Sequence, residues 1–248
     1  MGTEVKFNAC GRVDSVKTGE TAVEQNAVPV NERRWRGVSR PQRDAVRREK
    51  LLEAGVQLFG TQGYAATTVQ GLCREAGVSS RSFYEYFSGR EEVLETIYRE
   101  ATQAIEQRVM TLQNEANDTA YGMIRRGVQA GVGPMLDDER LGLVLEIEAV
   151  GVSPELESSR RQMIAGIARA MDAMMLELIR RGLIPESPTG LIGLMAVGGM
   201  TEALVAHLNT PAAQRLSTSA FVDELARVIT RMAGGWPTHG VASAPPLG

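Results

Sequence analysis

The sequence predicts an all-α protein of about nine helices, and three observations predict it. Apolar residues recur at three- and four-residue spacing from about residue 43 to 233. No alternating polar and apolar run of useful length interrupts them, and helix start and stop signals punctuate the chain at short intervals. At 248 residues, 43% hydrophobic and 23% charged, the chain can bury a substantial core.

The first helix is expected over residues 43–61, with Leu51, Leu52, Gly55, Val56, Leu58 and Phe59 inward and Gly63 closing it. A short second helix starts at Thr67 or Thr68, where Thr67 and Gln70 have the spacing of a capping box. Gly77 stops it and Ser79 caps a third helix of about two turns, ending near Phe87. Ser88 to Glu91 has the form of a second capping box, opening a long fourth helix through Val93, Ile97, Ile105 and Leu112. Five more helices are expected over 118–133, 138–151, 154–181, 188–208 and 218–233. Ser153-Pro154 and Ser187-Pro188 each place a cap ahead of a proline at the first helical position, and Gly182 follows Arg180-Arg181 at a helix end.

Residues 1–38 and 235–248 lack periodicity and are expected to be a flexible arm and tail. No signal peptide is legible, and the uncharged stretch from Ser187 to Thr201 is shorter than the ~20 residues of a membrane span. A cytoplasmic protein is expected. Cys10 and Cys73 stand alone, so neither a disulfide framework nor a metal site is indicated, and Cys73 reads as a core residue. With no Gly-rich phosphate loop and only His207 and His239 as histidines, neither catalysis nor a cofactor is expected.

The net charge of -3 averages unlike segments. Residues 32–50 hold eight Arg or Lys, Arg47 among them, against three acids; residues 101–248 hold twelve against sixteen. A basic run ahead of an acidic body suits nucleic acid at one end only, or a solvated tail. The short helix, Gly turn and short helix that follow have the geometry that lays one helix in a major groove. Phe83 and Phe87, four apart, face inward and turn Ser80, Arg81, Tyr84 and Glu85 outward. Glu85 either accepts from a cytosine amine or pairs with Arg81 four residues before it.

From Leu51 onward the chain resembles the tetracycline-repressor (TetR) family. The resemblance rests on Phe59 with Gly63-Tyr64, Thr67-Thr68-Val69, Ala76-Gly77-Val78-Ser79, Phe83-Tyr84-Glu85-Tyr86-Phe87 and Arg90-Glu91-Glu92-Val93-Leu94. It implies a helix-turn-helix near residues 67–87, in which Thr68, Tyr84, Tyr86 and Arg90 contact phosphates and Ser79, Ser80, Arg81 and Ser82 face base edges. The alternative for Tyr84 and Tyr86 is a half-buried packing residue. Arg81, Gly71 and Gly55 depart from the common family pattern. The resemblance implies a three-helix DNA-binding domain over 39–105, then an effector-binding and dimerisation domain over 106–234.

In that body the helix expected at 188–208 is apolar nearly all round, so one side should meet a partner. Family members dimerise through their last two long helices, which makes Leu194, Val197, Leu204, Leu208, Phe221, Leu225 and Val228 the candidate interface. Methionines crowd residues 154–200 and serve either as core filler or as walls of an adaptable pocket. Since the family binds a small inducer there, Met123, Glu146, Met171, Met174, Met175 and Met195 are the candidate pocket residues, with His207, Glu148 and Glu202 as further polar groups. The implied function is a homodimeric repressor released from an inverted-repeat operator by an apolar or amphipathic ligand. The alternative is a ligand-independent architectural or cell-division factor of the same fold.

Overall fold

The computed structural model describes residues 40–113, 115, 117–186 and 191–234. The arm with Cys10, the Ser187-Pro188 cap and the tail lie outside the described residues. Every regular element within them is helical. Helix α1 (Arg40–Gln62) begins three residues earlier than its apolar pattern, because Pro41 suits a first turn, and buries Leu51, Leu52, Ala54, Gly55 and Phe59. Gly63, at φ 85°, turns the chain out of it.

Helix α2 (Val69–Ala76) is capped by Thr68, whose Oγ1 accepts from the Gly71 amide at 3.1 Å. The expected Thr67 box does not form: Thr67 is buried, and its hydroxyl donates to the Gly63 carbonyl at 2.8 Å. Gly77 ends α2 at φ 64° and ψ 35°, the left-handed region. Helix α3 (Ser80–Phe83) is shorter than expected, and tighter turns carry the chain to Phe87 through Glu85 N–H to Ser82 O at 3.2 Å and Tyr86 N–H to Phe83 O at 2.9 Å.

Helix α4 (Arg90–Met110) also starts one residue later than its expected box. Gly89 is the cap, and the Ser88 amide and hydroxyl both donate to Glu92 Oε2, at 2.7 and 2.8 Å. Helix α5 (Ala120–Asp137) opens on Thr119 and tolerates Pro134 near its end. The helix expected over 138–151 is two pieces: α6 (Glu139–Leu143) and a π-turn, Val144–Glu148, closed by Ala149 N–H to Val144 O at 3.0 Å. Helix α7 (Pro154–Arg180) has the expected Ser153 cap and ends before Gly182 at φ 68°. Helices α8 (Ile192–Asn209) and α9 (Thr218–Met232) complete the body.

Helix α1 packs on α2, α4 and α6, α5 packs on α9, and α7 on α8. One buried cluster runs from Leu51 to Ala233, so the core continues across the boundary expected near residue 105. No described helix is long and apolar enough to cross a membrane.

Candidate functional site

With Phe83 fully buried and Phe87 nearly so, α3 and its following turn hang from two core rings and present their other side to solvent. Ser80, Arg81, Tyr84 and Glu85 are exposed, Tyr84 to 61%. Ser79 Oγ accepts from the Ser82 amide at 3.2 Å and its hydroxyl donates to Ser82 Oγ at 3.2 Å, so those two hydroxyls hold the helix start. Ser80 and Arg81 make no such local bond. The expected ion pair between Arg81 and Glu85 is absent among the described residues. Glu85 instead faces a groove of about 530 Å³ between α3 and the start of α1, lined by Arg40, Arg43, Asp44, Arg47, Ser82 and Tyr86. Arg40 and Arg43 join Arg47 because steps of three and four residues keep them on one helix face, a signal the sequence carried.

Two expected phosphate contacts are occupied by the protein itself. The Tyr86 hydroxyl donates to Asp44 Oδ1 at 3.1 Å and ties the turn after α3 to α1. Arg47 also leans on Asp44, at 3.5 Å. The Arg90 guanidinium donates to the carbonyls of Tyr64 (2.8 Å), Ala65 (3.1 Å) and Thr67 (2.6 Å), and lies 4.4 Å from the Tyr64 ring centroid. It therefore braces the loop between α1 and α2. An isolated side chain at a helix start had suggested an anion; only the folded loop brings three carbonyls to it.

The body holds a cavity of about 40 Å³ lined mainly by Thr102, Ile105, Met135, Glu146, Met163, Val197 and Met200. Of the expected pocket residues, Glu146 alone lines it. Met123, Met171 and Met175 are buried in packing elsewhere, Met174 is half-buried over Gly127, and Met195 is 60% exposed. Met135, Met163 and Met200 take their place. His207 is not in the cavity: it stacks on Phe221 at 4.3 Å, and burial holds its pKa below the ordinary value.

Glu146 and Glu148 belong to the same π-turn and point to different units. Glu148 Oε2 accepts from the Tyr64 amide at 2.7 Å, reaching the loop that Arg90 braces. Burial pushes the Glu146 carboxyl up from 4.5 to about 7; Arg160 opposes that rise and Glu202 adds to it. A carboxyl raised on folding costs stability when ionised, so the cost is full above about pH 7 and vanishes as pH falls toward 4.5. Glu146→Gln is accordingly expected to raise stability by up to about 3 kcal/mol at pH 8, with the gain closing by pH 5. Thermal melts of both proteins across that range check it, and a pH-independent gap would refute the ionisation cost.

Residues 51–97 match the model for bacterial regulatory proteins of the tetR family. Residues 51–97 form a TetR-type DNA-binding segment. The chain is a DNA-binding transcriptional regulator rather than an enzyme. It is 24% identical over 138 residues to the fatty acid metabolism regulator protein of Bacillus subtilis, covering 55% of this chain and 70% of that one. It is 35% identical over 60 residues to the transcriptional repressor KstR2 of Mycolicibacterium smegmatis, 24% of this chain and 29% of that one. Among solved structures, the fatty acid degradation regulator FadR of Bacillus halodurans superposes with a TM-score of 0.65 at 21% identity, covering 74% of this chain and 94% of that one. FadR of Bacillus subtilis in complex with stearoyl-CoA gives 0.61 at 19%, covering 73% and 96%. At these identities the structures show the shared fold.

The candidate dimer face needs correction. Val197, Leu204, Leu208 and Phe221 are buried within the subunit, and Leu225 is half-buried. Leu194 and Val228 are exposed as expected, at 51% and 45%, and Leu191, Met195 and Met232 join them at 66%, 60% and 40%. A helix apolar on all sides gives no clue to which side its own subunit covers, and α7 settled it by packing against the Val197 side.

Proposed function

We propose that the chain is a homodimeric repressor whose release from an inverted-repeat operator is driven by an apolar or amphipathic ligand in the body cavity. In this reading residues 39–105 form the DNA-binding unit, 106–234 the effector and dimerisation unit, and Ser80, Arg81, Tyr84 and the Arg40, Arg43 and Arg47 face meet DNA. The observation that carries it is the π-turn Val144–Glu148: Glu146 lines the cavity, and two residues on Glu148 holds the Tyr64 amide of the DNA-binding unit. Single π-turns inside helices recur at functional sites, where an extra residue redirects side chains. A ligand that displaced the Glu146 end would act directly on the loop setting the angle of α2 and α3. It can do so only by favouring the arrangement that fits DNA less well.

An apolar ligand follows from the methionine and aliphatic lining, and the relative solved with stearoyl-CoA supports that class. Leu191 at the cap of α8 and Leu194 and Met195 on it, with Val228 and Met232 on α9, supply exposed apolar surface for a second copy. Two-fold symmetry would then set the reading helices about 34–36 Å apart, one turn of DNA.

Binding-site selection tests the reading. Wild type should recover an inverted repeat, and Arg81→Ala should lose about 1–3 kcal/mol and relax preference at one base pair in each half. Tyr84→Phe should weaken all sequences alike. Recovery of a single half-site by a protein that sediments as a monomer would overturn the dimer. An unchanged preferred sequence in Arg81→Ala would overturn the base-reading role.

A further inference from the structure

On α4 and α7, beside residues that line the cavity, two buried polar atoms are left without hydrogen-bond partners. Tyr98 is 1% exposed, yet its hydroxyl has no hydrogen-bond partner, and neither does the buried Nε of Arg160. That Nε pairs electrostatically with Glu157 Oε2 at 3.7 Å, longer than a hydrogen bond. Tyr98 stands one helical turn before the lining residue Thr102, and Arg160 one turn before the lining residue Met163. Both act electrostatically with Glu146, which lines the cavity itself. Burial and the Glu146 charge hold the phenol above its ordinary range, so it remains a hydrogen-bond donor.

Buried donors without partners are rare, and each one costs free energy until something accepts from it. Here two donors, a phenol O–H and a guanidinium N–H, stand behind the lining of an otherwise methionine and aliphatic chamber, and Glu146 is the lining residue that both act on. Their common complement is an oxygen lone pair. The charge nearby discriminates further, because Glu146 and Glu157 act on Tyr98 and Glu202 acts on Glu146, against the single guanidinium of Arg160. An incoming carboxylate would meet a net negative field, whereas a neutral carbonyl would not.

We propose that the Glu146 side of the cavity is a polar subsite for a neutral, otherwise apolar molecule bearing one carbonyl oxygen, which accepts from Tyr98 and Arg160. The proposal rests on the reading of the body as a ligand-binding unit and names the chemistry of what it binds. At about 40 Å³ the chamber holds only a few waters, so entry requires Met135, Met163 and Met200 to change rotamer, as flexible thioether side chains can.

The test uses the full chain and three rigid probes of one shape: 1-indanone, indane and indane-1-carboxylate, titrated by calorimetry. The ketone is expected to bind wild type about threefold to tenfold tighter than indane, the worth of the added hydrogen bonds. Tyr98→Phe keeps the ring and removes the unpartnered hydroxyl, so it is expected to fold and to erase most of that preference. At pH 8, where Glu146 is ionised, Glu146→Gln removes a negative charge and is expected to improve binding of the carboxylate. Equal binding of ketone and indane by wild type would overturn the subsite while leaving an apolar ligand chamber standing. A preference that survives intact in Tyr98→Phe would likewise overturn it. If no probe binds, and apolar compounds that shift the melting temperature never alter operator affinity, the subsite and the effector reading fall together.

Discussion

Gly60→Ala is expected to lower stability by about 1–3 kcal/mol and to weaken operator binding with it. A Cβ at Gly60 would stand 2.7 Å from Arg140 Cβ, 2.7 Å from Arg140 O and 2.8 Å from Arg140 Cα, where α1 crosses α6. Two of those three atoms are backbone, so no rotamer change relieves the clash, and the helices must separate. Alanine is the better helix former by up to ~1 kcal/mol, which the lost packing has to exceed for the sign to hold. Gly131→Ala is the control. Its Cβ would meet nothing within 4 Å beside the body cavity, so the helix preference alone should act and raise stability by up to ~1 kcal/mol. Thermal melts of both variants give the comparison, with a shift of roughly 2–4 °C per kcal/mol for a chain of this size. A Gly60→Ala protein melting at or above wild type would show that α1 and α6 slide apart without cost. The contact would then be no rigid joint between the DNA-binding unit and the body.

Arg90→Met carries the other large effect. It keeps the stem and removes three hydrogen bonds, to the carbonyls of Tyr64, Ala65 and Thr67, together with the stack on the Tyr64 ring. Charge-assisted bonds contribute ~1.5–3 kcal/mol each, but the site is half-exposed and water can reach part of the loop, so the sum is expected near 2–4 kcal/mol. Arg90→Lys should fall between, since an ammonium keeps the charge and can donate to the carbonyls that Nη1 alone serves, but loses the planar group over the Tyr64 ring. Salt dependence separates this role from a phosphate contact. A lost phosphate contact lowers the slope of log affinity against log salt by about 0.9 and leaves the melt alone. A lost brace lowers the melting temperature and leaves the slope alone. The first pattern would return Arg90 to the DNA.

Short-range signals were legible wherever one residue and its near neighbours decide the outcome. Gly77 needed φ 64°, which the sequence marked with a glycine, and Ser153 before Pro154 fixed the start of α7. Caps that depend on choosing between adjacent residues were off by one, because two threonines, or a serine and a glycine, offer nearly equal starts. Thr67 is buried and Thr68 is not, and burial is a tertiary fact. The π-turn was illegible, since its five residues have the composition of ordinary helix and its closing bond reflects how α6 meets the rest of the body. That turn nonetheless decides which way Glu146 and Glu148 point.

The sequence by itself determined the helical class, the order of the helices and the identity of the reading segment, because periodicity, caps and a 47-residue family motif are local in the chain. It also determined that Phe83 and Phe87 face inward, since four-residue spacing fixes a shared helix side. Only the tertiary structure decided the partners of long polar side chains and the outer side of α8. Tyr86 found Asp44, Arg90 found three carbonyls and Glu148 found the Tyr64 amide across separations that no local pattern encodes. For α8 the pattern was apolar all round, so hydrophobicity carried no direction, and packing against α7 placed Val197 and Met200 inside and left Leu194 and Met195 in solvent.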